Sequence, residues 1–130
     1  MIVSDSTVWI DYFNDTRTAA VETLRKNLTD NVDVLLFPII ILEVLSGFKK
    51  DEDFENARQA FMDFPVLALS QKTHVSAADL YRRLRKKGVT IRKPVDCLIA
   101  QGCMESGAKL LTTDRDFQHI ARHSPLKLVH

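Results

Sequence analysis

The sequence predicts an α/β fold, a single domain with a mostly parallel central sheet flanked by helices on both faces. Three observations predict it. Short, almost wholly apolar runs, such as Val34–Phe37 and the core of Lys109–Thr113, read as strands buried on both sides. Stretches with helical spacing separate them in the order β-α-α-β-α-α-β-α-α-β-α-β, as parallel strands joined by helical crossovers require. The stretch Lys93–Phe117, KPVDCLIAQGCMESGAKLLTTDRDF, reads as a helix followed by a returning strand. Pro94 suits a first helical position and Gly107 a C-terminal stop. About ten residues of helix rise roughly 15 Å, and five residues of strand span about the same distance. Asp96 and Asp114 therefore come to one edge of the sheet, where ligands of open α/β folds bind.

Taken in order, Ile2 and Val3 begin a strand that Ser4–Thr7 ends. Val8, Trp9, Ile10 and Phe13 then carry a helical pattern, so Asp5 sits at a strand-to-helix junction, where an N-cap is the simplest role. Thr18–Leu28 places Ala20, Val21, Leu24 and Leu28 on one helical face. After Val34–Phe37, Ile39–Phe48 continues as a nearly apolar helix in which Glu43 is the one ionisable residue. A carboxylate in such surroundings needs a partner or a metal. Asp51–Phe64 is amphipathic, with Phe54 and Phe61 expected in the core or at a subunit contact. Val66–Leu69 reads as a strand and Gln71–Lys87 as a helix whose last turns hold Arg82, Arg83, Arg85, Lys86 and Lys87. Cations there complement the helix dipole. Together with Arg92 and Lys93 they also make a basic rim suited to a phosphate backbone. Gln118–Arg122 forms a short helix, and Leu126, Leu128 and Val129 close the chain as a strand. His119 and His123, four apart, lack a third ligand at zinc spacing.

With 130 residues, 45% hydrophobic and 27% charged, the chain suits one globular domain over residues 1–130. The net charge of +1 selects no partner by itself. No apolar run reaches the ~18 residues of a membrane span, and no signal peptide is evident. Cys97 and Cys103 point in different directions from one helix, so a reduced, cytoplasmic protein is expected.

Parallel strands end on a common edge, so Asp5, Asp96 and Asp114 can converge there, and Glu43 joins them if it lies in the first turns of its helix. Asp116 can join or lie just outside. Confined carboxylates repel one another, raising some pKa values. A divalent cation relieves this, and an all-oxygen set selects a hard ion, Mg²⁺ or Mn²⁺, over zinc.

The segments VSDSTVWIDYF, ILEVLSG, RLRKKGVTIRKPVDCLIA and LLTTDRDF resemble the PIN-domain ribonucleases, specifically the VapC-type toxins of bacterial toxin–antitoxin pairs. The resemblance runs over essentially the whole chain with its motifs in order. It implies Asp5, Glu43, Asp96 and Asp114 as metal-binding, catalytic acids, with Asp116 auxiliary. Thr112 resembles the small hydroxyl residue near the family's site, and Ser6 or Thr7 can orient a carboxylate. Pro38 is a departure, since related chains often carry Ser or Thr there. The resemblance further implies metal-dependent cleavage of RNA to 5′-phosphate and 3′-hydroxyl ends, with inhibition of translation. It also implies a small VapB-like antitoxin that obstructs the site, and a homodimer. Arg82, Arg85, Lys86, Arg92 and Lys93 are the expected RNA contacts. Two rival classes are a Mg²⁺-dependent phosphoaspartate enzyme and a non-catalytic module of the same fold. Lys109 begins its strand rather than ending it, against the first, and the presence of all four acids speaks against the second.

Overall fold

A computed structural model describes residues 1–129. Strand β1 (Ile2–Ser4) lies parallel to β2 (Lys109–Leu111), with Ile2 opposite Lys109, Val3 opposite Leu110 and Ser4 opposite Leu111. All three residues of β1 are buried although neighbours point to opposite faces, so both faces of the sheet are covered. Parallel bridges extend the sheet: Val34 to Ile2, Val66 to Leu36, and Leu128 to Leu110. The segments expected as strands at 34–37, 66–69 and 126–129 thus shrink to isolated bridge positions, two in the first and one in each of the others. Proline is the physical reason. Pro38 follows Phe37, Pro65 precedes Val66 and Pro125 precedes Leu126, and each lacks the N–H needed to extend a ladder. Paired hydrogen bonds remain, as where Leu36 N–H donates to Pro65 O at 3.0 Å and Leu67 N–H to Leu36 O at 2.9 Å.

The helices are α1 (Ser6–Phe13), α2 (Ala19–Thr29), α3 (Pro38–Ser46), α4 (Asp51–Phe61), α5 (Gln71–Lys86), α6 (Pro94–Ser106) and α7 (Arg115–Arg122). α1 packs on α2 and α3, and α3 on α4; α6 packs on α5, α7 and β2. The last helix starts earlier than its apolar pattern suggests because Asp114 caps it. Gly107, at φ 76°, ends α6 in the left-handed conformation that glycine accepts without strain. Gly102 lets α6 lie close over Phe37: a Cβ there would meet the Phe37 Cζ at 2.8 Å.

One core runs through the molecule. Trp9 of α1 is fully buried in it, edge-on to Tyr12, Phe61 and Phe64 and stacked on Phe13. Phe61 is therefore a core residue and not the exposed contact that its spacing allowed, whereas Phe54 is 39% exposed. Cys97 and Cys103 are buried free thiols, pushed by burial up to about 11 and about 12 respectively. Among the described residues, no helix is long and apolar enough to cross a membrane.

From edge to edge the sheet reads 66, 34–36, β1, β2, 128. The chain leaves β1 toward one edge and β2 toward the other. Such a reversal opens a crevice beyond the C-terminal ends of the two central strands. Asp5 directly follows β1, and Thr112 to Asp114 directly follow β2.

Candidate active site

The crevice contains the expected acids. Asp5, Glu43, Asp96 and Asp114 line one cleft together with Ser6, Thr7 and Lys93, and Ile99 and Phe117 form its apolar floor. Two of the carboxylates, Glu43 and Asp96, come from within helices α3 and α6, and the other two, Asp5 and Asp114, cap α1 and α7. A roomier hollow lies between α5, α6 and the chain after α7, lined by Leu80, Arg83, Met104, Glu105 and His123. It gathers no set of acids, so chemistry rather than size singles out the cleft at the sheet edge.

Asp5 is both the cap of α1 and a member of the cleft. Its Oδ1 accepts the Val8 N–H at 3.0 Å, and its Oδ2 accepts the Thr112 hydroxyl. Burial raises its pKa; the Thr112 and Val8 hydrogen bonds oppose the shift, and the charges of Asp114 and Glu43 reinforce it. Glu43 falls in the second turn of α3, because Pro38 takes the first helical position. Among the described residues no side chain caps α3, and Pro38 brings no hydroxyl to this end. Instead the Ser6 hydroxyl crosses from α1 and donates to Glu43 Oε1 at 2.5 Å.

Asp96 is the third residue of α6 and only 7% exposed. Burial, then the negative charges of Asp114 and Glu43, push its carboxyl up to about 7, with Lys93 pulling the other way. Asp114 caps α7. Its Oδ1 accepts from the Asp116 N–H at 2.9 Å and from Arg92 Nη2 at 3.0 Å, while its own N–H donates to Thr112 Oγ1 at 2.9 Å. Thr112 thus links Asp5 to Asp114.

The structure decides between the two places open to Asp116 and gives Arg92 partners that the sequence did not show. Asp116 does not line the cleft; its Oδ2 accepts the Arg92 N–H at 3.1 Å and Arg92 Nε at 3.0 Å. Burial works to raise its pKa, but the contacts with Arg92 outweigh this and hold it below the ordinary value. Arg92, expected on the RNA rim, is committed to those two acids, although 70% of its side chain is exposed. Lys93 does line the cleft, and Arg82, Arg85 and Lys86 are exposed on α5 outside it. Thr7 lines the cleft beside Ser6, whereas Ile99 and Phe117 were not foreseen. Ile99 and Phe117 each lie three residues after an acid on the same helix, a spacing that places them on that acid's face.

The acids share a cleft without closing on one point: among the described residues, no three His, Cys, Asp or Glu side chains stand posed to hold an ion. Hydroxyl and guanidinium donors engage Asp5, Glu43 and Asp114. The donor set nevertheless fits a hard dication. It is all oxygen, and it contains a buried carboxyl, Asp96, whose ionisation its neighbours oppose.

Replacing Thr112 by Val removes the donor to Asp5 and the acceptor of the Asp114 N–H together. We expect a loss of about 1–3 kcal/mol in stability. Urea unfolding of the metal-free protein checks this, and an unchanged midpoint would refute the bridging role.

Comparison with known proteins agrees with this architecture. The family model described as "PIN domain" matches residues 2–123. "VapC ribonuclease Mb1587" of Mycobacterium bovis is 31% identical over 129 residues, covering 98% of this chain and 96% of the relative. "Ribonuclease VapC11" of Mycobacterium tuberculosis matches with the same identity and coverage. Among solved structures, a chain of VapBC2 from Rickettsia felis, bound to a DNA fragment from its promoter, superposes with a TM-score of 0.78 at 21% identity, covering 99% of this chain and 98% of that one. A chain of FitAcB from Neisseria gonorrhoeae gives 0.76 at 16% identity, covering 100% and 97%. A toxin-antitoxin complex from Klebsiella pneumoniae gives 0.69 at 20% identity, with 90% of each chain covered.

Proposed function

We propose, because the chain belongs to the PIN-domain family and to its VapC branch, that residues 1–130 form one PIN domain acting as a Mg²⁺- or Mn²⁺-dependent endoribonuclease. In this reading it is the toxin of a toxin–antitoxin pair and inhibits translation by cleaving RNA in the cytoplasm. The observation that carries the proposal is the meeting of Asp5, Glu43, Asp96 and Asp114, from within or at the cap of four helices, in one cleft at the sheet's switch point.

These four carboxylates would hold the ion, with Asp116 outside them as the anchor of Arg92. A bound dication supplies Lewis acidity toward a phosphoryl oxygen and makes water a usable nucleophile at neutral pH. The chain's own residues do the positioning. Thr112 keeps Asp5 and Asp114 in fixed relation, and Ser6 holds Glu43 toward them. Ile99 and Phe117 supply the apolar part of the cleft's lining. Lys93 is the cation placed to meet a phosphate oxygen inside the cleft, and Arg82, Arg85 and Lys86 continue the positive surface along α5. Lys109 stands at the start of β2, the end opposite the acids, so a phosphoaspartate site gains no support.

One of the similar solved structures is a toxin-antitoxin complex and another is VapBC2, which supports a small VapB-like antitoxin as partner. A homodimer belongs to the same proposal, with exposed Phe54 as a candidate contact. The decisive assay mixes the purified protein with RNA. Cleavage leaving 5′-phosphate and 3′-hydroxyl ends should require Mg²⁺, stop in excess EDTA and return with Mn²⁺. Cleavage that persists in EDTA would overturn the metal-dependent mechanism.

A further inference from the structure

We propose that Arg92 is a positioning residue for the acidic cleft, not an RNA contact. Three donors of this one residue are committed. Its backbone N–H and its Nε both reach Asp116 Oδ2, at 3.1 and 3.0 Å, and its Nη2 reaches Asp114 Oδ1 at 3.0 Å. The guanidinium is planar and forked, so two donors on two neighbouring acids fix its orientation as a point charge could not. Arg92 lies two residues before the first residue of α6, which carries Asp96, and both its acceptors lie at the start of α7. It therefore ties the start of one acid-bearing helix to the start of another.

The grip also orients Asp114. Its Oδ1 is occupied by Arg92 and by the Asp116 N–H, and its Oδ2 accepts no hydrogen bond among the described residues. One oxygen is held and the other is left for a ligand. The Asp114 N–H, through Thr112, continues the link to Asp5 at the end of β1. Donors behind the ligating carboxylates set their direction, and removing such outer partners weakens metal binding. The basic pair Arg92-Lys93 thus divides its work, since Arg92 serves the acids while Lys93 lines the cleft and makes no ion pair among the described residues.

This inference rests on the metal-dependent reading above, and the test separates the two. Mn²⁺ is titrated into the wild-type chain and into Arg92→Ala, Arg92→Gln and Arg92→Lys, with free Mn²⁺ followed by electron paramagnetic resonance. RNA binding is measured in EDTA over a salt series, and thermal unfolding is recorded in EDTA. Arg92→Ala and Arg92→Gln should lose about tenfold or more in Mn²⁺ affinity. Arg92→Lys should recover only part of it, because an ammonium keeps the charge but not the fork. RNA affinity in EDTA and its salt slope should stay unchanged, and the unfolding midpoint should move little because the side chain is largely exposed. If Mn²⁺ affinity holds while RNA binding weakens and its salt slope falls by about one, Arg92 is a phosphate contact and the proposal is wrong. Tighter Mn²⁺ binding by Arg92→Ala would make Arg92 a competitor for Asp114 and would equally overturn it. A loss of Mn²⁺ affinity matched by a large fall in unfolding midpoint in every variant would reduce Arg92 to a structural brace. A wild-type chain that binds no Mn²⁺ defeats the metal-dependent reading itself.

Discussion

Replacing Asp96 by Asn should abolish RNA cleavage and stabilise the metal-free protein. The two effects share one cause. Asp96 is buried beside Glu43 and Asp114, and its carboxyl is pushed up to about 7 from an ordinary value of 3.8, first by burial and then by those charges. The folded state therefore holds this proton more tightly than the unfolded chain does. Below pH 4 the group is protonated in both states and costs nothing. As pH rises from about 4 to about 7, the unfolded chain releases the proton freely and the folded chain does not. Stability falls through that window and levels off above it. A shift of this size corresponds to at most about 4 kcal/mol, and solvent screening brings the expected gain for Asp96→Asn at pH 8 to about 1–3 kcal/mol. Asn keeps the shape of the side chain and removes the charge, so the pH slope should flatten with it. The same substitution removes a carboxylate from the proposed ligand set. Loss of an outer partner costs about 10–100-fold in a metal site, so loss of a ligand should lower cleavage by at least about a hundredfold. Urea unfolding in EDTA at pH 5 and pH 8, beside a cleavage assay in Mg²⁺, measures both. An inactive variant that is less stable than wild type at pH 8 would mean that Asp96 serves the fold, and the case for a strained ligand would fail.

That opposition between stability and function explains how much of the site was legible in the sequence. Asp5, Asp96 and Asp114 each stand at a strand end or a helix start, and a parallel sheet delivers all such positions to one edge. Glu43 was conspicuous as the one charge in an apolar helix, and Pro38 at the helix start puts it in the second turn, within reach of Ser6. The commitment of Arg92 was not legible. An arginine followed by lysine near an acidic edge looks the same whether its fork meets phosphate or carboxylate, and its partners lie 22 and 24 residues away. Periodicity likewise could not separate Phe54 from Phe61. The two are seven residues apart on one face of α4, and only the position of Trp9 decides which of them is enclosed. The outer strands were overread because an apolar run measures burial, whereas a ladder also needs donors that the flanking prolines lack.

Trp9→Ala should be the most damaging single substitution outside the acids. Trp9 is fully buried, with ring centroids 5.1 Å from Phe61, 5.4 Å from Phe64, 5.7 Å from Tyr12 and 5.8 Å from Phe13. Truncating such a residue typically costs about 3–5 kcal/mol, a large share of the roughly 5–15 kcal/mol that holds a domain folded. Trp9→Phe should cost less than the lost volume alone suggests. The indole Nε1 is buried without a hydrogen-bond partner among the described residues, so removing it relieves a desolvated donor. The site should feel the larger change, because Trp9 anchors the helix that begins with Ser6 and is capped by Asp5. Guanidinium unfolding with and without Mg²⁺ distinguishes two outcomes for the Ala variant. A ligand that binds only the folded state raises stability by mass action. If the cleft survives, Mg²⁺ should restore as much stability to Trp9→Ala as it adds to wild type. If α1 has shifted, taking Asp5 and Ser6 with it, the increment from Mg²⁺ should shrink. We expect the increment to shrink, since the aromatic cluster fixes α1 against Phe61 of α4, and α4 packs on α3, which carries Glu43; an undiminished increment would show that the cleft is held by its own hydrogen bonds alone.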